Sequence, residues 1–226
     1  ELSLECNFPW VLSNAFHGEK GGELLASAKE YVIQECNGYR IGFFGLAGTT
    51  FIEKKLAFSD WPSNCQHLPK DAIIQDPAVA AQRLARKLRT EENVDIVIVI
   101  SHMRLEEDRI VSEACASVDS KVDIIFGGHD HEFMVEGETT SVQTNKATGQ
   151  IRIVKSGTDF RSYSVVRLAV LHSGVRDIIA NIFRDLLIID AHPEDPNRPR
   201  ILETIPNTLL PMLRQPIPQN THTPCP

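Results

Sequence analysis

The segment Asp123-Ile-Ile-Phe-Gly-Gly-His-Asp-His131 joins an apolar strand to two histidines one residue apart. Alternate residues on extended backbone point the same way, so we expect His129 and His131 to leave one face of the chain together. The two glycines allow the backbone to turn sharply where the strand ends. Because two neutral imidazoles that converge at a strand end are a ready pair of metal ligands, the segment indicates a metal site at the edge of a buried sheet.

A third histidine follows another buried strand. The run Asp95-Ile-Val-Ile-Val-Ile100 is apolar throughout after its first residue, which is typical of a strand covered on both faces, and Ser101-His102-Met103 comes directly after it. Ligands bind outside the carboxyl ends of the strands in open α/β sheets. Because both strands end at that edge, we predict one metal site containing His102, His129 and His131.

The other five histidines have weaker claims to a functional role. They lie in loops or in a proline-rich region, and we interpret them as ordinary surface residues: His17, His67, His172, His192 and His222. Asp108 follows His102 at the predicted start of a helix. We expect its carboxylate to interact with that helix rather than with a metal.

Helix and strand signals alternate through the middle of the chain. Asp76-Pro77 is an N-cap followed by proline at the first helical position, and it predicts a helix over 77–91 with one apolar face. A second helix is predicted over about 106–117, with Ile110, Val111 and Ala114 on its apolar side. Strands are predicted over 8–15, 121–126, 151–155 and 163–171, and as hairpin arms at 31–35 and 39–46 around Asn37-Gly38. This order implies right-handed crossovers and a mostly parallel sheet.

Three further segments give less regular signals. Gly42, Gly45 and Gly48 lack the spacing of a dinucleotide-binding loop, so we interpret them as places of close packing and a turn. Residues 49–74 contain few periodic signals and several turn formers, and we interpret them as a long irregular loop. Residues 175–189 alternate poorly and are compatible with either strand or helix.

Composition limits the classes of partner. The chain has 226 residues, of which 42% are hydrophobic and 23% charged, as is typical of a soluble globular protein. A net charge of −7 argues against nucleic-acid polymers and anionic membranes as partners. No apolar stretch approaches the ~20 residues of a transmembrane helix. Five cysteines without a C-x-x-C pair, and asparagines outside N-x-S/T sequons, favour a cytoplasmic over a secreted protein but leave the compartment open.

Three segments resemble the later motifs of the calcineurin-like metallophosphoesterases. They are Val94-Asp-Ile-Val-Ile-Val-Ile-Ser-His-Met103, Val122-Asp-Ile-Ile-Phe-Gly-Gly-His-Asp-His131 and Ile153-Val-Lys-Ser-Gly-Thr-Asp-Phe-Arg161. Residues 8–14 and 41–46 are similar to strands of the 5′-nucleotidase branch of that superfamily. The resemblance spans residues 8–171. It implies an α/β fold in which helices flank a β-sandwich, with layers in the order α/β/β/α and an incomplete N-terminal part.

The resemblance also implies a function. By this resemblance His102 and His129 would bind one divalent ion and His131 a second, the ions being zinc, manganese or iron. Two such ions about 3.5–4 Å apart clamp a phosphate group for in-line attack by water. The implied reaction is hydrolysis of a small phosphoester, in this branch a nucleoside monophosphate, to nucleoside and phosphate. No residue is assigned as catalytic or as the binding residue of another cofactor.

Departures from the family pattern shape three further expectations. The family's first motifs, Asp-x-His, Gly-Asp and Gly-Asn-His, would precede residue 1, and Asn14 belongs to a later strand and does not replace them. Residues 1–190 are interpreted as the later portion of the metallophosphoesterase domain, and 191–226 as a proline-rich linker toward an absent C-terminal domain. The chain by itself is therefore expected to be inactive. A catalytically silent metal-binding scaffold and a phosphodiesterase of the same superfamily are the alternatives.

Overall fold

The computed structural model describes residues 2–18, 22–52, 55–60, 67–137, 139–141, 146–148, 152–159, 161–171 and 174–184. Its helices are α1 (Leu2–Glu5), α2 (Pro77–Thr90) and α3 (Leu105–Ala114), with 3₁₀ turns at Leu25–Ser27 and Val118–Ser120. Its strands are β1 (Ala15–His17), β2 (Val32–Cys36), β3 (Tyr39–Ala47), β4 (Thr49–Ile52), β5 (Lys55–Phe58), β6 (Ala72–Ile74), β7 (Ile96–His102), β8 (Ile124–Gly127), β9 (Phe133–Glu136), β10 (Thr139–Ser141), β11 (Lys146–Thr148), β12 (Ile153–Ser156), β13 (Ser162–Leu171) and β14 (Gly174–Arg184). The interpreted linker at 191–226, and the domain boundary before it, lie outside the described residues.

Six strands form the central sheet, in the order β2-β3-β7-β8-β12-β9. The inner strands β3, β7, β8 and β12 are parallel, and the edge strands β2 and β9 are antiparallel to their neighbours. The prediction of a mostly parallel sheet is therefore right for its centre. Ser101 of β7 pairs with Gly127 of β8, so the histidine-bearing segments leave the sheet side by side.

The first hydrophobic core lies between this sheet and the helices α2 and α3. Asp76 caps α2, because its Oδ1 accepts hydrogen bonds from the backbone N–H groups of Ala78 (2.8 Å) and Val79 (3.3 Å). The predicted apolar face of α2 is fully buried: Ala81, Leu84, Ala85 and Leu88. Phe44 and Val99 of the sheet belong to the same core. None of the helices in the described part of the chain has the length and apolarity that a bilayer crossing requires.

Helix α3 differs from its prediction in length and in its buried side. The sequence predicts 106–117 with Ile110 on the apolar side, whereas the helix ends at Ala114 and Ile110 is 57% exposed. The buried side presents Asp108 and Val111, so the prediction is confirmed for Val111 and wrong for Ile110. A carboxylate can occupy this interior position because a lysine of the central sheet lies against it.

A second core lies on the opposite face of the central sheet. It consists of Ile96, Ile98, Ile124, Val135 and Val154. Val166 and Leu168 of β13 pack against it, and β13 belongs to a four-stranded sheet in the order β10-β11-β14-β13. The helical layer, the central sheet and this second sheet confirm the predicted α/β sandwich. Within the segment that the sequence left open between strand and helix, Gly174–Arg184 forms β14.

The predicted hairpin is confirmed. β2 and β3 are antiparallel, and Cys36 pairs with Tyr39 across the turn. Between them, Asn37 (φ 50°) and Gly38 (φ 80°) both take left-handed backbone. A two-residue type I′ turn requires that conformation, which is why Asn-Gly predicts it.

The strand predicted over 8–15 is wrong for most of its length. The strand β1 begins only at Ala15, and before it Val11 makes an isolated bridge. The reason is that a side chain takes the place of a partner strand: Asn14 Nδ2 donates to Ala47 O (2.9 Å), and the N–H of Ala47 donates to Asn14 Oδ1 (2.9 Å). The segment before β1 therefore passes beside the sheet without joining its ladder, and Phe8 and Trp10 in it are exposed.

The loop interpretation of residues 49–74 is wrong in part. β4 and β5 form an antiparallel hairpin in which Thr49 pairs with Phe58, and β6 pairs with β1. These strands are three or four residues long, too short for a twofold alternation to stand out from the sequence. Residues 61–66 of the segment lie outside the described residues.

Candidate metal centre

His102 and His129 meet at the carboxyl edge of the central sheet. His102 ends β7, and His129 follows β8 directly after Gly128. Their ring centroids are 5.3 Å apart, and the rings are nearly perpendicular at 87°. The strand order therefore brings together two of the three histidines that the sequence singles out.

Asp60 joins the two imidazoles. Its Oδ2 lies 3.2 Å from His102 Nε2, and its Oδ1 lies 3.4 Å from His129 Nδ1. One potential ligand atom from each of the three residues lies within 4.8 Å of the other two. Among the described residues, these three form the cluster that could hold a metal ion. Two imidazole nitrogens and a carboxylate oxygen are a donor set that suits zinc, manganese or iron.

Sequence reasoning missed Asp60 because its neighbours in the sequence carry no signal of a site. Asp60 follows the β4–β5 hairpin, in the segment interpreted as an irregular loop. Backbone hydrogen bonds tie that hairpin to the histidine: Ser59 N–H donates to Gly48 O (2.9 Å), and Gly48 N–H donates to His102 O (2.8 Å). Tertiary contacts, rather than a local pattern, place this carboxylate.

The structure does not place His131 in this group. Its side chain is exposed at the end of the turn that follows β8. Alternate residues face the same way only on extended backbone, whereas His129 (φ 78°) and His131 (φ 57°) both take left-handed backbone. Side chains on this turn do not alternate as they do along a strand, and the assignment of His131 to a second metal stays a prediction.

Two glycines let backbone segments approach each other closely at the site. A Cβ on Gly128 would lie 3.2 Å from His102 Nδ1, and a Cβ on Gly48 would lie 2.7 Å from Met103 Cβ. A larger residue at Gly48 would push the end of β3 away from the turn that follows β7. The interpretation of Gly48 as a place of close packing is therefore confirmed.

A buried lysine lies beneath the two histidine-bearing turns. Lys155 of β12 is 1% exposed, and its Nζ donates to Met103 O (2.7 Å), Gly128 O (2.8 Å) and Asp130 Oδ2 (2.6 Å). It also pairs with Asp108 Oδ2 at 2.7 Å. Sequence reasoning missed this role because a single lysine at the end of a strand is usually a solvated residue.

The expectation that the Asp108 carboxylate interacts with its own helix is wrong. The carboxylate is fully buried, its Oδ1 accepts a hydrogen bond from Ser101 Oγ (2.6 Å), and its Oδ2 faces Lys155. Burial raises the pKa of Asp108, and the contacts with Lys155 and Ser101 oppose that rise. The carboxylate turns inward because these two groups compensate the loss of water.

Asn14 supports a strand end beside the site and does not act as a ligand. Its amide is committed to the backbone, because Nδ2 donates to Ala47 O (2.9 Å) and to Gln75 O (3.0 Å). Ala47 pairs with His102 across β3 and β7. The expectation that Asn14 does not replace a missing ligand agrees with these contacts.

Of the remaining five histidines, the structure describes two. His17 Nδ1 lies 3.7 Å from Asp71 Oδ1, and His67 is exposed. Both agree with the surface interpretation. His172, His192 and His222 lie outside the described residues.

Comparisons with known proteins cover the same part of the chain. The model of the family described as Bacterial capsule synthesis protein PGA_cap matches residues 17–135, more than half of the chain. Protein 5NUC of Lutzomyia longipalpis is 30% identical over 109 residues, which cover 48% of this chain and 16% of that protein. The 5′-nucleotidase of Bos taurus is 23% identical over 207 residues, which cover 87% of this chain and 33% of that protein. The chain thus spans only a minor part of the length of these relatives.

A solved structure shares the fold. The NAD nucleotidase (NadN) of Haemophilus influenzae superposes with a TM-score of 0.54 at 18% identity, over 81% of this chain and 31% of that chain. The matched range 17–135 contains Asp60, His102 and His129. The chain therefore belongs to the family described as Bacterial capsule synthesis protein PGA_cap, and the family resemblance seen in its sequence, to the 5′-nucleotidase branch of the calcineurin-like metallophosphoesterases, is confirmed.

Proposed function

We propose that this chain contributes a metal centre to a metal-dependent phosphoester hydrolase that acts on nucleotides. The observation that carries the proposal is the group of Asp60, His102 and His129 at the carboxyl edge of the parallel strands. That edge is where α/β sheets bind their ligands. Relatives named 5′-nucleotidase and NAD nucleotidase support a nucleotide as the phosphoester.

Each of the three side chains has a part in holding the ion. His102 presents Nε2 and His129 presents Nδ1, both toward Asp60, whose carboxylate adds the negative charge that favours a cation. A divalent ion held there would neutralise charge on the phosphoryl oxygens and lower the pKa of a coordinated water. The exposed His131 is proposed as a ligand of a second ion, on the strength of the family resemblance.

We also propose that the chain hydrolyses nucleotides poorly by itself. A dinuclear site needs carboxylates that set the separation of its two ions, whereas the group formed by the described residues holds one carboxylate and two histidines. Losing one ion removes on the order of several kcal/mol of transition-state stabilisation, which is several powers of ten in rate.

The test measures phosphate released from AMP and from 4-nitrophenyl phosphate, with manganese or zinc added. It compares this chain with the complete product of its gene, and each with the variants His102→Ala and His129→Ala. The control is His17→Ala, which removes a half-buried histidine paired with Asp71. We expect the complete product to hydrolyse AMP, to lose that activity in the first two variants and to keep it in the control.

Three results would point elsewhere. Robust AMP hydrolysis by the isolated chain, abolished by His102→Ala, would overturn the proposal that the chain is poorly active by itself, and would show that it supplies further metal ligands. Metal binding without phosphate release by the complete product would support the scaffold alternative. Faster hydrolysis of bis(4-nitrophenyl) phosphate than of AMP would support the phosphodiesterase alternative.

A further inference from the structure

Lys155 bonds both turns that carry the proposed ligands. The residue after His102 and the residues on either side of His129 each offer an oxygen to its Nζ, at 2.7, 2.8 and 2.6 Å. An ammonium group has three protons, and these three contacts use them. The two turns come from different strands, so this one side chain ties them together.

The turn at His129 depends on such support. His129 takes a φ of 78°, which is uncommon for a residue other than glycine. Backbone of this kind persists where its surroundings determine it. Lys155 binds the carbonyl oxygen just before His129 and the carboxylate just after it, in the conformation that turns Nδ1 toward Asp60.

The fold alone does not explain a charged pair at this place. Lys155 and Asp108 are 1% and 0% exposed, and apolar residues of similar size often replace such buried pairs without loss of stability. The backbone also makes room for them. A Cβ on Gly127 would lie 2.9 Å from Asp108 Oδ2 and 3.0 Å from Lys155 Cε. The buried pair is instead placed where Lys155 can bind the turns that carry His102 and His129.

We propose that Lys155 is a positioning residue of the metal centre, which holds the turns of His102 and His129 at the separation that a divalent ion requires. The inference rests on the proposed function, because it takes the two histidines to be ligands. Replacing a residue that orients metal ligands without touching the ion typically lowers metal affinity by roughly 10–100-fold.

The test measures manganese affinity and unfolding free energy in the whole chain and in four variants. Lys155→Met keeps the length of the side chain and removes its charge. The double variant Lys155→Met/Asp108→Asn also removes the negative charge of the buried Asp108, which would otherwise lose its lysine partner. Asp108→Asn by itself is the milder change. Lys121→Met is the matched control, because Lys121 pairs with the buried Asp123 (3.5 Å) just before β8, at the opposite end of that strand from His129.

We expect Lys155→Met to lower manganese affinity by roughly 10–100-fold, while Lys121→Met leaves it within about twofold. The double variant should regain stability but not affinity. If affinity returns together with stability, or if Lys155→Met binds manganese like the parent chain, Lys155 has only a structural role. Should Lys155→Met fail to fold, the double variant decides: a roughly tenfold or greater loss of affinity supports the inference, and unchanged affinity overturns it.

Failure of the proposed function gives a different result. In that case the parent chain does not bind manganese, or His102→Ala and His129→Ala bind it as tightly as the parent, and both proposals fall. If those two variants lose binding while Lys155→Met keeps it, the positioning role alone is wrong.

Discussion

At the scale of single residues, Gly45 shows how closely two backbones pack beside the site. A Cβ there would lie 2.2 Å from Val11 O, which is part of a backbone and cannot rotate away. We expect Gly45→Ala to destabilise the protein by about 3 kcal/mol or more, at the upper end of overpacking costs. The measurement is unfolding in urea.

The comparison variant is Gly42→Ala. Its new Cβ would meet the methyl groups of Leu88 at 3.0 Å, and a side chain can yield where a backbone cannot. This substitution should cost only about 1 kcal/mol. Equal costs for the two variants would show that the contact at Gly45 is not the constraint described.

Cys115 carries a fully buried thiol. Burial raises the pKa of Cys115 to about 12, and the thiolate rather than the thiol is the nucleophile. In the native protein at about pH 8, iodoacetamide should therefore alkylate Cys115 far more slowly than the partly exposed Cys36, as followed by peptide mass spectrometry. Denaturant should remove the difference. Equal rates in the native protein would contradict the burial of this thiol.

Residues with a local signal could be predicted, and residues defined by distant partners could not. His102 and His129 each follow an apolar strand, which predicts their shared edge. Asp60 lies in a segment without periodicity. Lys155 bonds a residue 52 positions away, and no spacing in the sequence indicates that contact.

At the scale of elements, helix α2 depends on its first turn. Asp76 Oδ1 accepts the N–H groups of Ala78 and Val79, which would otherwise lack partners. Asp76→Ala should therefore lower the free energy of unfolding by about 1 kcal/mol, while Asp76→Ser, which can still cap, should cost much less. Thermal and urea unfolding measure both. An Asp76→Ser variant as unstable as Asp76→Ala would argue against the cap.

Helices and strands could be predicted from the sequence where turn-forming or capping residues mark their ends, or where a hydrophobic pattern continues over many residues. Asn37-Gly38 predicts the hairpin because both residues tolerate left-handed backbone, and the cap predicts the start of α2. The strand predicted over 8–15 is wrong because the Asn14 side chain replaces a partner strand. The sequence does not predict strands β4 to β6, because they are too short to show a twofold alternation of side chains.

For the whole molecule, the pattern of strands and helices in the sequence predicts the central sheet. The second sheet could be predicted only from the family resemblance. Buried apolar strands alternating with helices imply parallel strands and a common carboxyl edge. The packing of Val166 and Leu168 against the second core depends on contacts between distant segments. Family resemblance implies that layer, whereas the period of the strands does not.

We propose that the carboxyl edge of the central sheet holds a divalent ion between Asp60, His102 and His129. Calorimetric titration of the chain with zinc measures whether it does. The variants are His102→Ala, His129→Ala and Asp60→Asn, and the control is His17→Ala, which removes a half-buried imidazole outside the group.

We expect the chain to bind zinc, and each of the first three substitutions to weaken that binding by roughly tenfold or more, since each removes a ligand or the carboxylate charge. His17→Ala should leave zinc affinity unchanged. Equal zinc affinity in the parent chain and in His129→Ala, or a loss from His17→Ala as large as that from His102→Ala, would rule out this metal centre.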